Sequence, residues 1–161
     1  IKRVTAPLDV QLIFEPGRMI AGNAGILVTK LVYVKEGEAR KFLIVDAGMN
    51  DLIRPALYDA HHDIIPVKRD MDAANARYDV VGPVCESSDF IAKARNLPEM
   101  APGEYMAIMS AGAYGASQSS QYNTRPLIPE VLVNGDKHAI IRRRPTFDEM
   151  TALEHYPDWI D

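Results

Sequence analysis

The sequence predicts an all-β or β-rich domain on three observations: many short strand-like runs, hairpin signals between them, and few long helical periods. At 161 residues the chain has a one-domain length and can bury a sizeable core. Its composition, 47% hydrophobic and 25% charged, is ordinary for a soluble globular protein. A formal charge of -4 argues against nucleic acid as the main partner. The single cysteine excludes an intramolecular disulfide and fits a reducing, cytoplasmic compartment. No apolar run reaches membrane-spanning length, and polar residues interrupt Ile1 to Val10 too often for a signal peptide. The chain opens at an Ile and moves almost at once into a strand-like run, as expected of a piece of something larger.

The elements follow in order. Leu8-Asp9-Val10-Gln11-Leu12-Ile13-Phe14 reads as a buried strand that ends at the turn Glu15-Pro16-Gly17-Arg18, where the Gly lets the backbone approach a ligand. After Gly22-Asn23-Ala24-Gly25, the β-branched run Ile26 to Val34 and the run Lys41 to Val45 flank Lys35-Glu36-Gly37-Glu38, which predicts a hairpin. Asn50 or Asp51 is expected to cap a short helix carrying Leu52, Ile53, Ala56 and Leu57, with Pro55 in its first turn. Ile64-Ile65-Pro66-Val67 is a short strand whose proline points to a sheet edge. Lys68 to Arg77 is a surface loop or short helix, and Tyr78 to Val81 a strand. Asn96 to Gly103 is turn material and Tyr105 to Met109 a strand. Ser110-Ala111-Gly112-Ala113-Tyr114-Gly115 suits tight packing or backbone contact with a ligand. Glu130 to Val133 and Lys137 to Arg142 flank Asn134-Gly135, the expected centre of a two-residue turn. The charged tail from Arg142 to Asp161 has room for a short helix.

Chemistry concentrates in Val81-Gly82-Pro83-Val84-Cys85-Glu86-Ser87-Ser88-Asp89, where the one thiol sits beside an acid and two hydroxyls. Taken alone, residue types favour the plain reading: Cys85 a small buried hydrophobe, Glu86 a surface acid, Ser87 or Asp89 the cap of a turn. No histidine is tied to Cys85 by sequence, so a thiol protease has little support. His61 and His62 are adjacent and point apart, and no Cys or acid stands at zinc spacing, so surface histidines and no metal are expected. There is no P-loop and no dinucleotide fingerprint. Arg18, Arg54, Tyr58, Cys85, Glu86, Tyr122 and Asn123 remain. Two arginines can each clamp a carboxylate, a thiol can donate a proton, and Glu86 can pair with an ammonium. Each also has a plain reading: Arg54 on a solvated helix face, Arg18 a surface charge, Tyr58 and Tyr122 at the core edge. Together they suit a small zwitterion with more than one carboxylate.

Six segments carry a family resemblance. Glu15-Pro16-Gly17-Arg18, Gly22-Asn23-Ala24-Gly25, Val45-Asp46-Ala47-Gly48-Met49-Asn50-Asp51-Leu52-Ile53-Arg54-Pro55-Ala56-Leu57-Tyr58, Gly82-Pro83-Val84-Cys85-Glu86-Ser87, Ala111-Gly112-Ala113-Tyr114-Gly115 and Tyr122-Asn123 occur in the order seen in diaminopimelate decarboxylases. The chain resembles that family between Asp9 and Gly135. The family makes lysine by decarboxylating meso-diaminopimelate with pyridoxal phosphate. The resemblance implies that residues 1–22 are the last strand and exit loop of an (α/β)8 barrel that is otherwise absent. Residues 23–161 are then the Greek-key-like C-terminal β-barrel domain of an alanine racemase/ornithine decarboxylase-like enzyme.

The resemblance also implies roles. Glu15, Pro16, Gly17 and Arg18 match the segment near the cofactor phosphate, with Arg18 also reaching substrate. Arg54 and Tyr58 match substrate-binding positions, Cys85 the proton donor, Glu86 a substrate contact, and Tyr122 a contact to cofactor and substrate. Cys85 and Glu86 would serve the partner subunit's site, which implies a homodimer with shared active sites. Ala116-Ser117-Gln118-Ser119-Ser120 departs from the commoner Phe-Ser-Met-Ser-Ser and alters the packing before Tyr122. The family's cofactor lysine, in a Tyr-Ala-x-Lys setting, is missing: Lys2, Lys30, Lys35, Lys41, Lys68, Lys93 and Lys137 lack that context. The chain is therefore expected to be a C-terminal portion, inactive alone. The alternatives are a same-fold decarboxylase of ornithine, arginine or carboxynorspermidine, or a β-domain that only supports folding or dimerisation.

Overall fold

A computed structural model describes residues 1–68 and 73–160. Its centre is a six-stranded sheet built around β1 (Leu27–Glu36), the longest strand. Leu27, Thr29 and Leu31 are buried while Val28, Lys30 and Val32 face out, the two-residue alternation a half-buried strand requires. β1 changes partner along its length. Leu27 to Lys30 pair antiparallel with β6 (Tyr105–Ile108), and Leu31 to Glu36 pair antiparallel with β2 (Lys41–Val45), with an irregularity between Leu31 and Tyr33. Such a break bends a strand and lets one element belong to both halves of a curled sheet.

The remaining strands are β3 (Ile64–Pro66), β4 (Asn75–Val81) and β5 (Phe90–Pro98), and the order is β3-β6-β1-β2-β4-β5. All pairs are antiparallel except β2 with β4, which run parallel because the chain leaves β2, forms a helix and β3, and returns alongside. The two edges nearly meet. Arg95 on β5 donates to His61 Nε2 at 2.8 Å and to the His62 carbonyl at 3.2 Å, just ahead of β3. The result is a nearly closed barrel around Leu31, Leu43, Val45, Val80, Ile91, Met106 and Ile108, each at most 1% exposed. Removing a leucine such as Leu31 from water stabilises the fold by about 1.5–3 kcal/mol.

The β1–β2 hairpin, the β3 edge strand with its proline, and β6 form as expected. Other expectations are corrected. Leu8 to Phe14 forms no strand, and its apolar residues are exposed, from 43% at Leu12 to 82% at Ile13; among the described residues no strand pairs with it to take its hydrogen bonds. Asn96, Leu97 and Pro98 belong to β5 and only the residues after them turn. That strand was obscured because Lys93 to Asn96 interrupts its apolar pattern. Ala94 there takes φ 53°, and its N–H donates to Asp79 Oδ1 at 2.6 Å, a bulge held by a buried acid. β4 begins at Asn75, earlier than Tyr78. Of the predicted loop Lys68 to Arg77, residues 69–72 lie outside the described residues.

β7 (Glu130–Asn134) and β8 (Lys137–Arg142) form a separate hairpin. Asn134 pairs with Lys137, so the turn centres on Gly135-Asp136, one residue later than expected, with Gly135 at φ 61°. Val131, Leu132, Val133, Ile140 and Ile141 are all at least half exposed on this hairpin. In the tail, Phe147–Thr151 is a short helix with a capping box: Thr146 accepts from the Glu149 N–H and Glu149 accepts from the Thr146 N–H. No helix among the described residues is long and apolar enough to cross a membrane.

Candidate active site

Two clusters hold the residues singled out from the sequence. The first rests on the exit from β2. Asp46 Oδ1 accepts from the Thr29 hydroxyl at 2.6 Å and the Lys30 N–H at 2.9 Å, and Thr29 Oγ1 accepts from the Ala47 N–H at 3.0 Å. Further on, Asp51 Oδ2 accepts from the Gly48 N–H at 2.9 Å, and Arg125 lies 3.7 Å from the same carboxylate. Burial pushes the Asp51 carboxyl above its ordinary range, against those stabilising contacts. Asn50 and Asp51 are thus spent on the loop and neither caps the helix that follows. That helix, Arg54–Tyr58, is entered from Ile53, without a side-chain cap, and has Pro55 in its first turn as expected. Leu52, 1% exposed, anchors its entry in the core.

Arg54 is buried, at 9% exposure, which corrects its reading as a solvated helix side chain. Among the described residues it has no carboxylate partner, and the one hydrogen bond of its guanidinium runs from Nη1 to His62 Nε2 at 3.2 Å. His62 is 1% exposed, which corrects the expectation of two surface histidines; His61 does lie at the surface. Burial, with the charges of Arg54 and Arg18 nearby, holds the His62 ring below its usual pKa, although its bond to the Met109 carbonyl at 2.8 Å works the other way. Arg18 lies exposed on the short helix Gly17–Ala21, which follows Glu15 and Pro16. Tyr58 is exposed at the end of its helix. Gly112 packs its Cα against the main chain of Gly25, with 2.7 Å left for any Gly25 Cβ, so the small-residue segment serves packing that ties residues 17–25 to the sheet.

The second cluster is the loop joining β4 to β5. Asp89 shapes it: Oδ2 accepts from the Val84 N–H at 2.5 Å and Oδ1 from the Met49 N–H at 2.7 Å. The Asp89 carboxyl is raised by burial while those two amides oppose the rise. Gly82 is required beneath it, because a Cβ there would lie 2.6 Å from both Asp89 oxygens and 2.7 Å from the Ala47 carbonyl. Cys85 projects from this loop and is exposed, not the buried hydrophobe its residue type suggests. Its N–H donates to Asn123 Oδ1 at 3.2 Å, and the Tyr122 hydroxyl donates to Glu86 Oε2 at 3.4 Å. Asn50 fixes the same downstream segment, its side chain donating to the Ser120 carbonyl at 3.3 Å and its own carbonyl accepting from the Ser120 N–H at 2.9 Å.

Sequence reasoning missed the burial of His62, the reach of Asp89 beyond its own turn to Met49, and the positioning role of Asn123. Contacts with residues distant in the chain set them apart: His62 with Met109, Asp89 with Met49, and Asn123 with Cys85. Among the described residues no hydrogen bond or ion pair joins Cys85 or Glu86 to Arg18 or Arg54. Chemically, one cluster offers an anion clamp, and the other a thiol beside a carboxylate and a phenol.

The sequence and fold have relatives. The chain is 56% identical over 146 residues to a diaminopimelate decarboxylase from Haemophilus influenzae, covering 91% of this chain and 35% of the relative. The crystal structure of diaminopimelate decarboxylase from Helicobacter pylori complexed with L-lysine superposes with a TM-score of 0.82 at 44% identity, over 94% of this chain and 37% of that one. A lysine/ornithine decarboxylase from Vibrio vulnificus is more distant, with a TM-score of 0.62 and 25% identity over 73% of this chain and 32% of that one. The chain thus spans about a third of the length of the relatives it matches. Residues 18–112 match the model of the pyridoxal-dependent decarboxylase C-terminal sheet domain, and the chain belongs to that family.

Proposed function

We propose that this chain is the C-terminal part of a diaminopimelate decarboxylase, which converts meso-diaminopimelate to L-lysine in the cytoplasm. The observation that carries the reading is Arg54, a buried guanidinium whose only hydrogen-bond partner among the described residues is a neutral imidazole. A buried cation without an anion is costly, so its complement is expected to arrive with the ligand. A dicarboxylic diamine supplies that anion at the end remote from the reacting centre. The greater likeness to diaminopimelate decarboxylases than to the lysine/ornithine enzyme supports the same substrate.

The residues present suit pyridoxal phosphate. Gly17, at the start of its helix, leaves space faced by the Tyr114 hydroxyl, 3.9 Å from where a Cβ would stand. Arg18 is an exposed cation there, suited to a phosphate. In this reading Glu15, Pro16, Gly17, Arg18 and Tyr122 hold the cofactor, which supplies the electron sink for the carbanion left when carbon dioxide departs. Arg54 and Tyr58 orient the distal carboxylate, with Arg18 also reaching the substrate. Glu86 holds an ammonium, and its bond with Tyr122 fixes the carboxylate that does so. Cys85 donates its thiol proton to the reacting carbon, a general-acid step served by an exposed group on a rigid loop.

As the family resemblance implies, the reading includes a homodimer in which Cys85 and Glu86 complete the partner's site. Residues 1–22 then belong to the barrel domain and 23–161 to the β-domain. The exposed apolar residues of Leu8 to Phe14 and of the β7–β8 hairpin fit contact with the rest of such an enzyme.

The test is carbon dioxide release from meso-diaminopimelate with added pyridoxal phosphate, by this chain alone and by a full-length enzyme containing it. Turnover by the full-length enzyme only is the expected result. Turnover of ornithine, arginine or carboxynorspermidine in place of meso-diaminopimelate would move the assignment to a sister decarboxylase. Turnover by the chain alone would overturn its placement as a partial site.

A further inference from the structure

We infer that His62 is a positioning residue that holds Arg54 ready for the distal carboxylate of the substrate, through a single defined tautomer. This rests on the proposed function and adds to it a residue that touches neither substrate nor cofactor.

The tautomer follows from the two partners. The Met109 carbonyl, 2.8 Å from Nδ1, can only accept, so Nδ1 carries the proton. The Arg54 guanidinium, 3.2 Å from Nε2, can only donate, so Nε2 presents its lone pair. Both ring nitrogens are thereby satisfied in the neutral ring, at 1% exposure. The charged groups around it are mostly cationic; the exception is the exposed carboxylate of Asp63, the next residue, which interacts with the ring and is bonded to His61. Arg54 and Arg18 act on it directly, His61 is its neighbour, and Arg95 donates to its carbonyl at 3.2 Å from the opposite sheet edge. Burial and these cations disfavour a second positive charge on the ring, and the exposed Asp63 carboxylate is the one charge opposing them.

The arrangement suits its task. A carboxylate in place of His62 would neutralise Arg54 and compete with the substrate for it. A neutral acceptor fixes one N–H of the guanidinium and leaves its charge uncompensated, with further donors for an incoming carboxylate. Met109, the residue after β6, anchors the ring to the barrel wall, and the Met109 N–H in turn donates to the Asp63 carbonyl at 2.8 Å. The clamp is therefore set by the meeting of β3 and β6 and not by the Arg54 helix alone.

The test uses the full-length enzyme with pyridoxal phosphate and two near-isosteres. His62→Asn retains a donor near Nδ1 for Met109 and removes the acceptor for Arg54. His62→Gln places an oxygen near Nε2 and restores that acceptor. L-Lysine keeps the distal carboxylate and 1,5-diaminopentane lacks it, so calorimetric binding of the pair isolates the clamp. In His62→Asn the lysine Kd and the meso-diaminopimelate KM are expected to rise about tenfold. The kcat changes less than about threefold, and diaminopentane binding is unchanged. His62→Gln should recover most of the loss.

Equal losses for lysine and diaminopentane, no loss for lysine, or no recovery in His62→Gln would overturn the inference. Nitrogen NMR of histidine-labelled wild type reads the tautomer without any variant, and a proton on Nε2 at neutral pH would also overturn it. Failure of the wild type to turn over meso-diaminopimelate would instead mark failure of the proposed function.

Discussion

The main-chain N–H of Cys85 donates to the side-chain oxygen of Asn123 across 3.2 Å, a bond between residues 38 apart. Asn123 adopts φ 59°, a left-handed conformation that asparagine tolerates better than most residues. The loop that carries the thiol is therefore held by Asp89 at the Val84 N–H and by Asn123 at the Cys85 N–H. Asn123→Ala in the full-length enzyme is expected to lower kcat several-fold while shifting KM little. Cys85→Ala should cost more, about 10²–10⁴ in turnover, the range of a lost general acid. Steady-state kinetics on both variants decide the point, and an unchanged kcat for Cys85→Ala would remove it from the proton-donor role.

Gly82→Ala forces a Cβ to within 2.6 Å of both Asp89 oxygens. The loop must move or the carboxylate must lose its two amide donors. A loss of about 1–3 kcal/mol is expected by denaturant unfolding of the full-length enzyme, together with reduced turnover. An unaltered unfolding midpoint would show that the loop yields freely.

Arg54→Lys keeps the charge and loses the planar fork, so it is expected to behave much like Arg54→Ala. Either change should raise the KM for meso-diaminopimelate by about 10- to 100-fold. Binding of 1,5-diaminopentane should stay near wild type. Comparable losses for both compounds would show that Arg54 supports the fold and not the distal carboxylate.

His62 makes a signed contribution to the pH dependence of stability. Its folded pKa is lowered below the unfolded value of 6.5, chiefly by burial, with Arg54, Arg18 and His61 adding to the effect. Above 6.5 the ring is neutral in both states and the folded form is fully favoured. As pH falls through 6.5 toward the folded pKa, only the unfolded state gains the proton and stability declines. Asp51 and Asp89 act in the opposite sense, since burial raises their folded pKa values and acidification relieves the cost of their charge. Thermal unfolding of wild type and His62→Asn between pH 7.5 and pH 5.5 should show a shallower acid decline in the variant. Identical slopes would contradict the assignment.

Local pattern was enough for much of the molecule. Alternation and turn residues placed the β1–β2 and β7–β8 hairpins, the proline at the β3 edge and Pro55 in the first turn of its helix. The segments around Arg54, Cys85 and Tyr122 were recognisable because they occur in the order seen in diaminopimelate decarboxylases. By itself the sequence determined the family, the β-rich class and the candidate residues.

Tertiary structure decided which of them share an environment. His62 is indistinguishable from His61 in sequence, yet one is sealed against Met109 and Arg54 while the other stays in water. β5 was obscured because Asp79, on the neighbouring strand, supports its bulge. Leu8 to Phe14 has a strand's composition and forms none, because a strand is completed by neighbours that its own residues do not supply. Burial, hydrogen-bond partners and strand pairing all depend on residues distant in the chain, and those relations exist only once the sheet has closed.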